Sequence, residues 1–354
     1  MKYISMLLLS FLLLSCNCPD KTNPNVLSWP ADLPVYDHIV IVVEENKDYS
    51  EVIGQDYAPY INDVLKKEGA SFEQIYGEEH YSQGNYFWMF SGDNQTVGFS
   101  DQVPSAATHP DYPFTTSNLG YQLINNGYSF KGYAESLPEI GSTVVTAGVY
   151  ARKHVPWISF ANVPNDRTYE TSSNVRFKDF PSPSDYDKLP TVSFVIPNLD
   201  NDMHNCYPPN CDSSSIECCI SKGDAWLEAN IDSYLKWAKE NNSLLILTFD
   251  ENDDKRGYQG LTNPMVDSES KFCNESNIDP EYCVDLENRI VTIFAGAHII
   301  PGEYNEGIGI THINILRTIE AMYGLPKSGR QQPNAAGYGI SDDYIITDVF
   351  EKVK

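Results

Sequence analysis

The stretch EEHYSQGNYFWMFSG, Glu78 to Gly92, sets Ser82 between His80 and Asn85, just ahead of the apolar run Tyr86 to Phe90. A serine oxygen is a favoured helix N-cap. It becomes a nucleophile only where a base or a metal ion stabilises its alkoxide. Carboxylates gather elsewhere in the chain, each time after an apolar, strand-like run. DHIVIVV leads into Glu44-Glu45-Asn46, VSFVIPNL into Asp200-Asn201-Asp202-Met203-His204, and LLILTF into Asp250-Glu251-Asn252-Asp253-Asp254. One acid at a strand end is an ordinary cap. Three such ends, and a fourth carrying His80 and Ser82, point to a single polar site whose crowded carboxylates need cations. Asp250, Asn252 and Asp254 alternate as in a calcium loop, but Lys255 stands where that loop needs glycine and Leu261 where it needs glutamate. The pattern is therefore not an EF-hand, and the ligands must come from several strands.

The elements that would hold these residues are legible as short apolar runs at His38 to Val43, Phe72 to Tyr76, Thr191 to Ile196, Leu244 to Phe249 and Arg289 to Phe294. Continuous apolar runs suit strands buried on both faces. Helical stripes follow at Asp224 to Glu240 (Leu227, Ile231, Leu235, Ala238) and Ile313 to Met322 (Ile315, Leu316, Ile319). The alternation predicts an α/β fold with a mainly parallel central sheet and helices on both faces. In such sheets ligands bind beyond the carboxyl ends of the strands, where the acids lie. Alternation along the first strand sends Glu44 and Glu45 to opposite faces, and Glu45 is assigned to the site. Asp253 is expected in solvent.

At 354 residues and 41% hydrophobic, the chain suits one large globular α/β domain or two small ones. A formal net charge of −25 argues against sequence-independent binding to nucleic acid. An anionic substrate would have to be drawn in by local positive charge or metal. Lys153 and His154, in ARKHVPW, supply such charge, whereas His38, His109 and His298 are assigned structural roles.

The N-terminus MKYISMLLLSFLLLSC has the charged start and short apolar core of a secretory signal, too short to span a membrane. Leu13-Leu14-Ser15-Cys16 resembles a bacterial lipobox. Residues 1–15 therefore read as signal peptide, 16–36 as a lipid-anchored tether and 37–354 as the catalytic domain. The expected location is the cell envelope or the exterior, with membrane contact only through the anchor at Cys16. Export permits disulfides. Beyond Cys16 and Cys18, Cys273 and Cys283 can close a local loop, and Cys206, Cys211, Cys218 and Cys219 can pair in three ways. No CxxC pair is present, which favours disulfides over zinc.

Taken together and in order, HIVIVVEENKDYS, HYSQGNYFWMFSG, YAESLP, ARKHVPWISF, VIPNLDNDMHN, GDAWL, TFDEND and THINILRTIEAMYGL resemble the phosphoesterase family of acid phosphatases and non-specific phospholipases C, within the alkaline phosphatase superfamily. The likeness runs from about His38 to Leu325. It implies an alkaline phosphatase-like sheet and a phosphoric ester hydrolase, with a small phosphate ester or phospholipid head group as substrate. Position by position, it implies metal ligands at Glu45, Asn46, Asp250 and Glu251 and a metal-bound nucleophile at Ser82. Asn85 would steady a phosphoryl oxygen, with His80, Lys153 and His154 also meeting substrate. Asp202, His204 and His312 look like a second metal cluster, in which His204 or His312 can protonate the leaving group. The first set is all oxygen, which favours Mg²⁺, Ca²⁺ or Mn²⁺, whereas the second tolerates zinc. Gly84 departs from the proline that relatives often carry in the nucleophile turn, a change expected to loosen that turn. The family's long phospholipases C carry extra C-terminal domains, and this chain ends soon after RTIEAMYGL. The expectation is thus an acid phosphatase-type phosphomonoesterase working through phosphoserine. The alternatives are a phospholipase C-like phosphodiesterase and a non-catalytic, metal-stabilised surface binding protein.

Overall fold

The computed structural model describes residues 33–352, except 98–99, 210, 213, 254–287, 308 and 333–338. The signal segment, nearly all of the tether, Cys16 and the Cys273–Cys283 loop lie outside the described residues. Among the described residues, the strands are β1 (His38–Glu44), β2 (Ala70–Phe72), β3 (Ile75–Tyr76), β4 (Phe130–Ala134), β5 (Thr146–Ala147), β6 (Tyr150–Ala151), β7 (Asn174–Arg176), β8 (Val192–Ile196), β9 (Ser243–Phe249), β10 (Thr292–Gly296), β11 (Gly302–Tyr304) and β12 (Ile310–Thr311). The helices are α1 (Tyr49–Val52), α2 (Lys66–Glu68), α3 (Ser82–Ser91), α4 (Leu119–Asn125), α5 (Ile216–Glu240) and α6 (His312–Met322), with a π-helical turn at Ile61–Leu65 and several 3₁₀ turns. None is long and apolar enough to cross a membrane.

Eight strands form one sheet in the order β11-β2-β10-β9-β1-β8-β4-β7. Every pairing is parallel except those on either side of β10, so β10 alone runs against the rest. All residues of β8 and β9, and all of β1 after His38, are buried, so the centre of the sheet is covered on both faces. Helix α5 packs on β9 and β10, α4 packs on β4, and α3 packs against α6.

The apolar runs locate the central strands well and the periphery less well. Phe72 to Tyr76 splits into β2, in the main sheet, and β3, which pairs with β12. The last run is displaced to Thr292–Gly296, because Arg289 is pulled aside: its Nε donates to the Glu73 carbonyl at 2.6 Å and its guanidinium lies 3.7 Å from the Tyr49 ring centroid. Strand β4 reads FKGYA and hides behind a lysine and a glycine. Lys131 Nζ reaches back to the Ser172 carbonyl at 2.7 Å, and a Cβ on Gly132 would come within 2.0 Å of the Trp157 ring. Of the three pairings open to the four clustered cysteines, the fold takes Cys206–Cys219 and Cys211–Cys218.

The β3–β12 pair joins the turn leading to α3 with the strand that starts α6. Helix α6 is backed in turn by the C-terminal segment. Asn314 Nδ2 donates to the Ser341 and Tyr344 carbonyls at 2.8 and 3.1 Å, and Ile346 N–H donates to Thr318 Oγ1 at 3.0 Å. Inside α6, Arg317 and Glu320 are fully buried and paired at 2.7 Å, and Glu320 also accepts the Ser328 N–H at 2.7 Å. Removing one partner of such a pair strands a buried charge. Glu320→Ala should destabilise the fold by about 3 kcal/mol, read as a drop in denaturant midpoint, and an unchanged midpoint would show that Asp342, 3.6 Å from Arg317, suffices alone.

Candidate active site

Strands β1 and β9 run parallel with Glu44 opposite Phe249, and Asp250 N–H continues the ladder to the Glu44 carbonyl at 3.0 Å. Glu45-Asn46 and Asp250-Glu251 therefore leave the sheet side by side, and all four are fully buried. Asn46 turns the chain at φ 38°, a left-handed conformation that asparagine tolerates. Its N–H donates to Asp250 Oδ1 at 3.0 Å and its Nδ2 to Glu251 Oε1 at 2.8 Å.

Ser82 enters this group from the first turn of α3. The N-cap position belongs to Tyr81, held at φ 80°, so the Ser82 hydroxyl does not cap the helix. It donates to Glu45 Oε2 at 2.9 Å and lies 3.4 Å from both Asn46 Oδ1 and Glu251 Oε1. One helical turn on, the Tyr86 hydroxyl donates to Glu45 Oε1. The His154 ring stacks on Tyr86, with centroids 5.1 Å apart, and brings Nε2 to 3.3 Å from Glu45 Oε1.

Burial first, and then Asp250, pushes the Glu45 carboxyl well above its ordinary range; burial and the adjoining Glu251 carry Asp250 up to about 8. Burial opposes the Lys153 charge, but Glu45, Asp101 and Asp250 outweigh it and raise its pKa; its Nζ donates to Asp101 Oδ2 at 2.7 Å. Burial, followed by the neighbouring Lys153 and His204, holds His154 well below the imidazole range, so it is neutral there.

Three buried carboxylates with an amide oxygen and a hydroxyl form an all-oxygen donor set, and Asp250 Oδ2 is buried without a hydrogen-bond partner. Those residues fit a hard divalent cation. Asn46 and Ser82 stand between the carboxylates, and among the described residues no three acid or histidine ligand atoms of this group lie within 4.8 Å of one another. The trio that does, Cys206, Cys211 and Cys219, is tied up in the two disulfides.

Several expected roles are corrected by position. Asn85 does not face the site: its Oδ1 accepts the N–H groups of Glu78 and Glu79 at 2.8 and 3.0 Å and its Nδ2 donates to the Glu79 carbonyl, so the amide fixes the turn before Ser82. His80 meets Glu251, with Nδ1 2.5 Å from Oε2, which also accepts the Tyr81 N–H at 2.9 Å. Gly84 does not loosen the turn. A Cβ there would lie 1.8 Å from Glu79 Oε1, and Glu79 is itself held by Trp88 Nε1 at 3.2 Å and Asn94 Nδ2 at 3.0 Å.

Asp202, His204 and His312 are not assembled as a cluster. Asp202 and His204 sit on the turn after β8, where Asp202 Oδ1 accepts the His204 N–H at 3.0 Å and the Asp202 carbonyl accepts the Glu45 N–H at 2.9 Å. His312 heads α6, with Nε2 2.8 Å from the Phe249 carbonyl, and burial lowers its pKa to about 4. Asp253 is not free in solvent but pairs with the buried Lys47 at 2.8 Å. Glu44 turns away from Ser82 and is fully buried, and burial, then Asp202, Glu135 and Asp224, raises its pKa well above the carboxylate range.

Two contributors escaped sequence reasoning. Tyr86 was absorbed into the apolar run, although its place four residues after Ser82 puts both on one helical face. Asp101, the partner of Lys153, lies in an irregular segment with no periodic signal.

The sequence model of the phosphoesterase family matches residues 55–326. A phosphatidylinositol-3-phosphatase of Mycobacterium tuberculosis is 43% identical over 297 residues, covering 84% of this chain and 80% of that protein. A probable acid phosphatase of Kluyveromyces lactis is 25% identical over 311 residues, covering 83% of this chain and 60% of its own length. In three dimensions, the fold is that of a protein in the alkaline phosphatase superfamily from Vibrio parahaemolyticus, with TM-score 0.54 and 12% identity over 88% of this chain and 74% of that one.

The reassigned Asn85 gives a direct test. Truncating an amide that satisfies two buried N–H groups leaves those donors unpaired. Asn85→Ala should cost about 2 kcal/mol of stability, measured by chemical denaturation without any substrate. A residue that only touched substrate would leave the midpoint where it was.

Proposed function

This chain belongs to the phosphoesterase family and is a phosphoric ester hydrolase, and from that premise we propose that it hydrolyses phosphomonoesters by attack of Ser82 Oγ, assisted by a divalent cation. The observation that carries this reading is the Ser82 hydroxyl itself, which caps no helix and hydrogen-bonds to Glu45 at 2.9 Å in the midst of the carboxylate group. Glu45, Asn46, Asp250 and Glu251 would hold the ion, with Mg²⁺, Ca²⁺ or Mn²⁺ the best match to oxygen donors. When bound, it supplies positive charge that stabilises the serine alkoxide and the phosphoryl oxygens.

The remaining steps belong to the chain. Ser82 Oγ forms a bond to phosphorus as the ester P–O bond breaks, and its proton passes to Glu45 Oε2. Lys153 offsets charge on the phosphoryl group, and the Ser82 backbone N–H at the start of α3 receives one of its oxygens. The departing alkoxide takes a proton from His204. His312 is a poor donor, being neutral down to about pH 4 and engaged with the Phe249 carbonyl. Water then attacks the phosphoserine, passing a proton to His204, and Ser82 Oγ regains its own from Glu45.

The monoester reading draws support from the 43% identical relative, which is named a phosphatidylinositol-3-phosphatase. Ser82→Ala should lower turnover of an aryl phosphate by about a thousandfold or more. Acid quenching of the wild-type enzyme should trap phosphate on the Ser82 peptide. A chelator should abolish activity, and Mg²⁺, Ca²⁺ or Mn²⁺ should restore it. Full activity in the Ser82 variant or in chelator overturns the mechanism, and faster cleavage of a phosphorylcholine diester than of the aryl monoester overturns the substrate class.

The N-terminal segment supports export and lipid attachment at Cys16 as part of the same proposal. Cys16→Ala should move the chain from the membrane fraction to the soluble fraction, and retention in membranes would count against the anchor.

A further inference from the structure

A cleft of about 430 Å³ lies between the turn after β8, the start of α5 and the Lys47–Asp253 pair, residues that follow Asp202, Asn46 and Glu251 closely in the chain. Its size falls in the range of about 300–1,000 Å³ usual for small-molecule sites. Six of its eight described lining residues are polar: Lys47, His204, Asn205, Tyr207, Ser214 and Asp253. Resting on the phosphomonoesterase reading, we propose that this cleft receives the leaving group and selects a polyhydroxylated alcohol, such as an inositol ring, over an aryl or alkyl one.

The cleft joins the reacting serine through short connections. Lys47 follows Asn46, and its Nζ reaches the Asn46 carbonyl at 2.5 Å and Asp253 Oδ2 at 2.8 Å. On the opposite wall, His204 follows Asp202, whose carbonyl accepts the Glu45 N–H at 2.9 Å. Both walls are thus tied to Glu45 and Asn46, the residues that meet the Ser82 hydroxyl, and His204 lines the cleft.

The chemistry of the walls selects the ligand. Asn205 and Tyr207 carry side chains that both donate and accept hydrogen bonds, as alcohol hydroxyls do, and the Ser214 hydroxyl, which donates to Asp212 Oδ1 at 2.7 Å, can still accept one. The Lys47 ammonium is already engaged by Asn46 and Asp253, so the described lining offers no uncommitted lysine for a second phosphate. An aromatic leaving group offers these side chains no hydrogen bond, so it gains less from the cleft than a polyol does.

The wall is also pre-organised. Cys206–Cys219 and Cys211–Cys218 staple the 206–219 segment to the beginning of α5. Glu135 braces the preceding turn, accepting the Asn198 N–H at 2.9 Å, Asn201 Nδ2 at 3.0 Å and Trp226 Nε1 at 3.2 Å. Gly223 lets that turn sit on α5, since a Cβ there would come within 2.3 Å of Met203 Cγ. A wall fixed before binding loses less entropy when a ligand docks.

The test compares kcat/KM for inositol monophosphate with that for p-nitrophenyl phosphate in the full chain. Asn205→Ala and Tyr207→Phe should each lower the ratio of inositol to aryl activity by about threefold to tenfold, as expected for one lost hydrogen bond. A global defect lowers both activities together and leaves the ratio unchanged. An unchanged ratio in both variants overturns the proposal. If the wild-type chain cleaves p-nitrophenyl phosphate but not inositol monophosphate, the cleft assignment falls while the phosphatase reading stands. If it cleaves neither, the phosphatase reading itself has failed and the cleft assignment falls with it.

Discussion

The parallel register of β1 and β9 is the constraint from which the site follows. Two central strands that end opposite each other deliver Glu45-Asn46 and Asp250-Glu251 to one buried edge, whatever the rest of the chain does. Placing like charges there is costly, and the surroundings read as a response to that cost. The Asn46 amide, the Ser82 and Tyr86 hydroxyls and the His80 ring all turn donors toward carboxylate oxygens, while Lys153 contributes a full positive charge.

The serine is placed by a turn with little slack. Asn85 ties the turn backbone to the first turn of α3, Glu79 fills the space that Gly84 leaves open, and Tyr81 holds an unfavourable backbone angle at the junction. Strain in that position persists only where the surroundings over-determine it. Trp88 and Asn94 on Glu79, with the three hydrogen bonds of Asn85, meet that requirement.

The central strands and the edge at which the site forms were legible because continuous apolar runs followed by acids are a strong one-dimensional signal. What one dimension does not carry is the direction of a side chain. Asn85 and His80 have the residue types of substrate ligands, yet one braces backbone and the other orients Glu251. His312 lies close to the catalytic acids in family order but is held at the end of β9 by a carbonyl. Strand β4 was hidden for a different reason, since its glycine answers to a tryptophan ring 25 residues away and not to any local preference.

The small β3–β12 pair has a wider consequence. One of its strands runs into the serine turn and the other into α6, and Glu78 Oε1 accepts the Ile313 N–H across the junction at 3.3 Å. Helix α6 in turn is clasped by residues 341–346, and the backbone beyond them returns to the sheet periphery, where Ile300 N–H donates to the Val349 carbonyl at 2.8 Å. Shortening this protein after α6 would delete none of the candidate site residues. It would still unclamp the helix whose first turn backs the serine, so the minimal catalytic unit is set by mechanical support rather than by the span of the reactive side chains.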